Sequence, residues 1–131
     1  MRGSDLLVQS LVQAGVKHVF GMPGHTTLPI LDSISREPSI RFILAKHENT
    51  LLSLAAGYAR VSLEPGVCVT HVGPSSANIL NGMGSAYRDS SSVIAMPTHL
   101  AAGHQHSLSH HPAIPTSAPT STPTSAPTSA P

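Results

Sequence analysis

The stretch Ile40-Arg41-Phe42-Ile43-Leu44-Ala45-Lys46-His47-Glu48-Asn49 decides the fold. Ile40 to Ala45 is a mainly apolar run of strand length, and from Thr50 to Arg60 the pattern turns helical. A short apolar strand leading into a helix is the repeating unit of a parallel sheet covered on both faces. Glu48 stands at the change, at the carboxyl end of the strand, where open α/β sheets place their ligands.

The same alternation extends outward in both directions. Leu6, Leu7, Leu11 and Val12 recur at helical spacing behind Ser4 as N-cap, and Gly15 ends that run. Val16 to Phe20 is predicted as a strand, followed by the turn Gly21-Met22-Pro23-Gly24. Thr26 or Thr27 caps the next helix, which tolerates Pro29 in its first turn and would bury Leu28, Leu31 and Ile34. The helix after Glu48 runs from about His47 to Val61, with Leu51, Leu54, Ala55 and Tyr58 on one side. Val67 to Val72 gives a third strand ending at Gly73-Pro74, Ser75 or Ser76 caps a helix reaching about Arg88, and Val93 to Met96 gives a fourth strand. The expected fold is therefore α/β, a doubly wound and mostly parallel sheet with right-handed crossovers. In such a sheet the loops after the strands emerge at one edge, so Gly21 to Gly24, His47-Glu48 and Gly73 to Ser75 should converge.

Composition divides the chain. It has 131 residues, and its seven basic and six acidic side chains all lie at or before Asp89. Five of the nine histidines fall between His99 and His111, and a four-residue Pro/Thr/Ser/Ala repeat runs from Pro115 to Pro131. Proline at every fourth position excludes helix and sheet. Residues 1–96 are read as one globular domain, here an incomplete sheet, and residues 97–131 as a His-rich then Pro/Thr/Ser-rich low-complexity, disordered tail. The net charge of +1 offers no basic stripe for nucleic acid. Neither a membrane span nor a signal peptide is evident, and a cytoplasmic location is expected. Cys68 is alone and is read as a small buried residue in Val67-Cys68-Val69.

Several segments, in this order, resemble the N-terminal, pyrimidine-binding domain of thiamine-diphosphate-dependent enzymes of the acetolactate synthase, pyruvate oxidase and benzoylformate decarboxylase group. They are Val19-Phe20-Gly21-Met22-Pro23-Gly24, Lys46-His47-Glu48-Asn49 and Ala55-Ala56-Gly57-Tyr58-Ala59-Arg60, then Pro65-Gly66-Val67-Cys68, Gly73-Pro74-Ser75-Ser76-Ala77-Asn78 and Gly84-Ser85-Ala86-Tyr87-Arg88-Asp89-Ser90. The resemblance implies that Glu48 is the catalytic carboxylate, hydrogen-bonding N1′ of the aminopyrimidine so that its 4′-imino form takes the proton from thiazolium C2. It implies that Met22, Pro23 and Gly24 lie against the pyrimidine, and that Gly73, Pro74 and Asn78 shape the pocket, while Tyr58 and Arg60 are structural. Thiamine diphosphate is the implied cofactor, with Mg²⁺ supplied by a missing diphosphate-binding domain and FAD confined to a full-length relative. The implied substrate is a 2-keto acid, and the implied partner is a second subunit, or a separate chain, that carries the diphosphate-binding domain.

Burial in a dry site would raise the pKa of Glu48 and a helix N-terminus would lower it, and the sequence leaves that balance open. Ser75 stands where the family has glycine, so a strained or reshaped pocket edge is expected. His25 is read as a solvated loop residue or as facing the pocket, His47 as packed or functional, and His71 as packed. His104, His106, His110 and His111 have the spacing of metal-binding tracts, but no acidic or cysteine ligand accompanies them, and no metal site is assigned. Glu48 read alone would simply be an acid at the start of its own helix. Beyond Met96 the family pattern stops and Gly-Asp-Gly is absent. The expectation is a domain inactive alone, with a non-catalytic partner subunit or a truncated gene product as alternatives.

Overall fold

The computed structural model describes residues 1–100; the Pro/Thr/Ser repeat, the histidines from 104 to 111 and the rest of the expected tail beyond residue 100 lie outside the described residues. The elements are α1 (Gly3–Gln13), β1 (His18–Gly21), α2 (Leu28–Ser35), β2 (Arg41–Leu44), α3 (Glu48–Ser62), β3 (Gly66–Thr70), α4 (Pro74–Asn78), α5 (Leu80–Arg88) and β4 (Val93–Pro97). All pairings are parallel and the strand order is β2-β1-β3-β4. The α/β expectation holds.

The two-residue period of the strands sorts the core into two layers. On one face Val19, Val67 and Val69 join Val8 and Leu11 of α1 and Ile34 of α2. On the other Phe20 and Cys68 join Leu51, Leu52 and Ala55 of α3, with Ile79. β3 is buried along its whole length, whereas the outer strands β2 and β4 keep partly exposed positions. Full coverage is thus a property of the central strands, because among the described residues each outer strand has one neighbour. Leu51, Leu52 and Ile79 are at most 1% exposed, each a burial of about 1.5–3 kcal/mol.

Local details differ from the expectations. α1 begins at Gly3 with Arg2 as its cap residue, because the Arg2 amide donates to Asp5 Oδ2 at 3.0 Å, and Ser4 lies inside the helix. β1 is displaced toward Gly21, and β3 ends at Thr70 rather than Val72. Leu28 and Leu54 are exposed rather than on the buried faces of α2 and α3. The predicted helix after Gly73 is two helices meeting at Ile79, and its cap is Gly73, with Ser75 and Ser76 inside the first turn. Ordered contacts continue past Met96: the Thr98 amide and hydroxyl both donate to the Thr70 carbonyl, at 2.9 and 2.8 Å. Among the described residues, no helix is long and apolar enough to cross a membrane.

Candidate functional site

β1 lies between β2 and β3, so the chain leaves the middle of the sheet in opposite directions, which makes the carboxyl ends of β1 and β3 the switch point of the fold. The loops after β1, β2 and β3 meet there.

Glu48 is the first residue of α3. His47 caps that helix in extended backbone, its Nδ1 accepting the Asn49 amide at 3.1 Å. Both oxygens of the Glu48 carboxylate face donors on α4. The Ser75 hydroxyl donates to Oε1 at 2.5 Å and the Asn78 side-chain amide to Oε2 at 3.4 Å. The first contact is at the short end of the range for a hydroxyl donating to an anion, and the second is long and weak. The Glu48 side chain is 16% exposed. Its carboxyl is held below the ordinary glutamate range, first by the Ser75 hydroxyl and then by its own backbone amide at the helix start, against the opposing effect of burial. This settles the balance left open by the sequence in favour of the anion. His47 Nδ1 lies 3.9 Å from Oε2. That nitrogen accepts the Asn49 amide and so carries no proton, which makes the approach a proximity and not an ion pair.

Ser75 is placed by the turn before it. Gly73 has φ +73° and ψ −122°, backbone that side chains disfavour, and it swings the chain from β3 into α4. The Ser76 hydroxyl then donates to the His71 carbonyl at 2.9 Å and fastens the first turn of α4 to the end of β3. Ser75 itself has no positive φ, so the expected strain at this position is absent. Its hydroxyl is free to reach sideways because it does not cap its own helix.

The turn after β1 is tied internally. The Gly24 amide donates to Thr27 Oγ1 at 2.8 Å, and that hydroxyl reaches the Met22 and Gly24 carbonyls at 3.2 and 2.9 Å. A Cβ on Gly24 would lie 2.9 Å from Cγ of the His71 ring, so the backbone of this turn packs directly on the imidazole. Met22 packs against the core layer that holds Phe20 and Leu51.

His71 joins the loops after β1 and β3. Its Nδ1 is 2.6 Å from Thr26 Oγ1, which is 2.5 Å from Thr98 Oγ1. The Thr98 hydroxyl donates to the Thr70 carbonyl, and the Thr26 backbone amide donates to His71 Nδ1 at 3.4 Å. These contacts pin His71 between the two loops, packed as expected. Thr26 and Thr98 were not singled out for this role: Thr26 read as a cap and Thr98 as the start of the tail.

The structure thus brings Glu48 and Asn78 together and sets Gly24 against His71. Tyr58 serves the helix, donating to Glu64 Oε2 at 2.6 Å, and Arg60 pairs with Asp89 and Ser91. Among the described residues no other ion pair reaches Glu48.

A family model for thiamine pyrophosphate enzymes, N-terminal TPP binding domain, matches residues 1–118. A probable acetolactate synthase large subunit from Methanocaldococcus jannaschii is 41% identical over 96 residues, 73% of this chain and 16% of that protein. A chloroplastic acetolactate synthase from Arabidopsis thaliana is 38% identical over 95 residues, 72% of this chain and 14% of the relative. The acetolactate synthase large subunit of Buchnera aphidicola is 32% identical over 102 residues, 78% and 18% of the two chains. The chain therefore spans less than one-fifth of the length of these relatives.

Proposed function

The chain belongs to the thiamine pyrophosphate enzyme family as an N-terminal TPP-binding domain of the acetolactate-synthase-like type, and from that premise we propose that it supplies the pyrimidine half of a cofactor site with Glu48 as its catalytic carboxylate. The observation that carries this reading is a partly exposed carboxylate at the sheet switch point, held at the start of α3 by the Ser75 hydroxyl and the Asn78 amide of α4.

The residues present fit an aminopyrimidine. Glu48 is an acceptor with one oxygen strongly engaged and the other only weakly, so a ring N–H can bond to it. In this reading Met22, Pro23 and Gly24, whose turn packs on His71 at Gly24, would line one side of the ring, and Gly73, Pro74 and Asn78 would shape the pocket. When bound, thiamine diphosphate supplies a nucleophilic carbon and an electron sink for 2-keto-acid chemistry. Glu48 would accept a ring N–H, Asn78 would steady its second oxygen, and the two turns would orient the ring.

We assign this role to the domain expected over residues 1–96, with Pro97 and Thr98 joined to it by β4. The proposed partner is a second subunit, or a separate chain, bearing the residues that hold Mg²⁺ and the diphosphate. The 2-keto acid substrate and any FAD belong to that larger assembly, the 131-residue chain is inactive alone, and its proposed compartment is cytoplasmic.

Calorimetry with thiamine diphosphate and Mg²⁺ tests the reading, on the full chain alone and mixed with a large-subunit relative bearing a diphosphate-binding domain. Weak binding alone, tightened by the second chain, is expected. Glu48→Gln should weaken it about 10- to 100-fold, the loss of a hydrogen bond to a charged group. Binding indifferent to Glu48→Gln would sink the assignment, and pyruvate turnover by the chain alone would sink its inactivity.

A further inference from the structure

Glu48 differs from an ordinary helix-start glutamate in its contacts with α4, of which the Ser75 hydroxyl is the shorter. Its Oε1 accepts the Ser75 hydroxyl at 2.5 Å, and Ser75 reaches it from another helix, 27 residues along the chain. That approach is built into the fold: Gly73 turns the backbone, Ser76 anchors α4 on the His71 carbonyl, and Ser75 is left pointing at the first turn of α3. A hydroxyl donor stabilises the ionised carboxylate and gives no comparable gain to the protonated one. The start of α3 acts in the same direction through its dipole and amides. The charged and titratable groups around the carboxylate do not oppose this. His47 Nδ1 accepts the Asn49 amide, α4 contributes Ser75 and Asn78, and His71 at the end of β3 is engaged with Thr26.

An ionised carboxylate and a neutral ring nitrogen are both acceptors. They bond only when one proton lies between them, and that proton rests on the group of higher basicity.

We propose that Ser75 is a positioning and specificity-determining residue that keeps Glu48 an ionised acceptor, so that this rim takes cyclic amidines, aminopyrimidines among them, with the proton on the ring nitrogen. The ligand part of this inference rests on the function proposed above; the hold of Ser75 on Glu48 does not. No covalent step is involved. The ring nitrogen gains a proton from solvent on binding, and Glu48 accepts it in a charge-assisted hydrogen bond.

The test has two arms that fail separately. The first needs no ligand. The full chain is labelled with ¹³C at glutamate side chains, the Glu48 signal is assigned through Glu48→Gln, and its titration is followed in the parent, Ser75→Ala and Ser75→Thr. Ser75→Ala should move the midpoint upward, and Ser75→Thr, which keeps the hydroxyl, should leave it near the parent's. A midpoint unchanged in Ser75→Ala, in a variant with a native amide spectrum, overturns the proposal. Should that variant lose its native spectrum, Ser75→Gly gives the same comparison. In the second arm, thiamine diphosphate labelled with ¹⁵N at N1′ is added with Mg²⁺. A protonated ring nitrogen in the parent, shifting toward an acceptor in Ser75→Ala, supports the selection. A neutral bound nitrogen beside an ionised Glu48 overturns it. Absence of binding removes the ligand reading together with the proposed function, and leaves the first arm to decide the role of Ser75.

Discussion

Gly66→Ala should detach the helix that carries Glu48 from the sheet beneath it. A Cβ built on Gly66 lies 2.1 Å from the Ala55 carbonyl oxygen, 2.6 Å from its carbonyl carbon and 2.9 Å from its Cα. The obstruction is backbone, in the middle of α3, and no rotamer change relieves it. Reaching even the 3.0 Å that real Cβ atoms rarely undercut requires α3 to retreat by about 0.9 Å at that point. Leu51, Leu52, Ala55, Ala56 and Ala59 pack through the same face, and a gap of that size forfeits about a quarter to a half of each contact energy it opens. Overpacking of this kind costs about 1–3 kcal/mol, and the rigidity of the obstruction places Gly66→Ala at the upper end. The loss of unfolded-state freedom returns about 0.4–1 kcal/mol, leaving a net destabilisation of about 2 kcal/mol. The comparison is Gly57→Ala on the same helix, where a Cβ meets nothing within 4 Å and helix propensity predicts a gain of about 1 kcal/mol. Urea unfolding of the full chain, followed by far-UV circular dichroism, measures both. Opposite signs are expected at constant m-value. A Gly66→Ala chain as stable as Gly57→Ala would refute the claim that close backbone approach holds α3 on β3.

Thr70 is fully buried, and its hydroxyl has no partner among the described residues. Thr70→Val should therefore be neutral or stabilising by about 1 kcal/mol in the same unfolding assay, and a loss above that would reveal a bond the hydroxyl makes. Burial pushes the Cys68 thiol up to about 11. A thiol reagent at pH 8 should label it only as fast as the domain opens, and rapid labelling of folded chain would contradict its place in the core. The Glu48 carboxyl is depressed in the folded state, so its contribution to stability is present above the unfolded glutamate pKa and is lost as pH falls through the lower folded value. Glu48→Gln should remove that part of the acid destabilisation, and a denaturation midpoint that falls equally steeply below pH 4.5 in both chains would contradict it.

The sheet was readable because its central strands are short apolar runs and each is followed by a turn and a helix. The start of α3 was also readable, to within a residue, because His47-Glu48 separates two periodicities. Helical faces were less so. Leu54 is grouped by sequence on one side with Leu51 and Ala55, yet at about 100° per residue it lies roughly 130° from the centre of the stripe formed by Leu51, Leu52, Ala55, Ala56 and Ala59. That stripe is largely alanine, and it faces the sheet because small residues let α3 approach Gly66, a criterion that hydrophobicity does not carry. Of the site, the residue types and their shared edge were legible. The target of the Ser75 hydroxyl was not, because a serine directly after a Gly-Pro turn reads as a cap. Its role appears only when two helix starts, distant in sequence, are brought together.

That meeting has a consequence for how such a rim works. In a parallel doubly wound sheet every strand feeds a helix whose positive end points at the same edge. A carboxylate placed there is held ionised by default, and Ser75 adds a second hold from α4. Covering the rim with a ligand and a second domain removes water and pulls in the opposite direction, toward the protonated acid. The two influences act on the same proton, and Ser75 is the part of the balance that resides in this chain. A carboxylate with a glycine in place of Ser75 would yield its ionised state more readily as the site closes. With Ser75 present, closure instead transfers the demand for a proton to whatever nitrogen faces Glu48, which is why the protonation of the ligand, rather than the presence of the glutamate, is the property that separates this site from one lacking the hydroxyl.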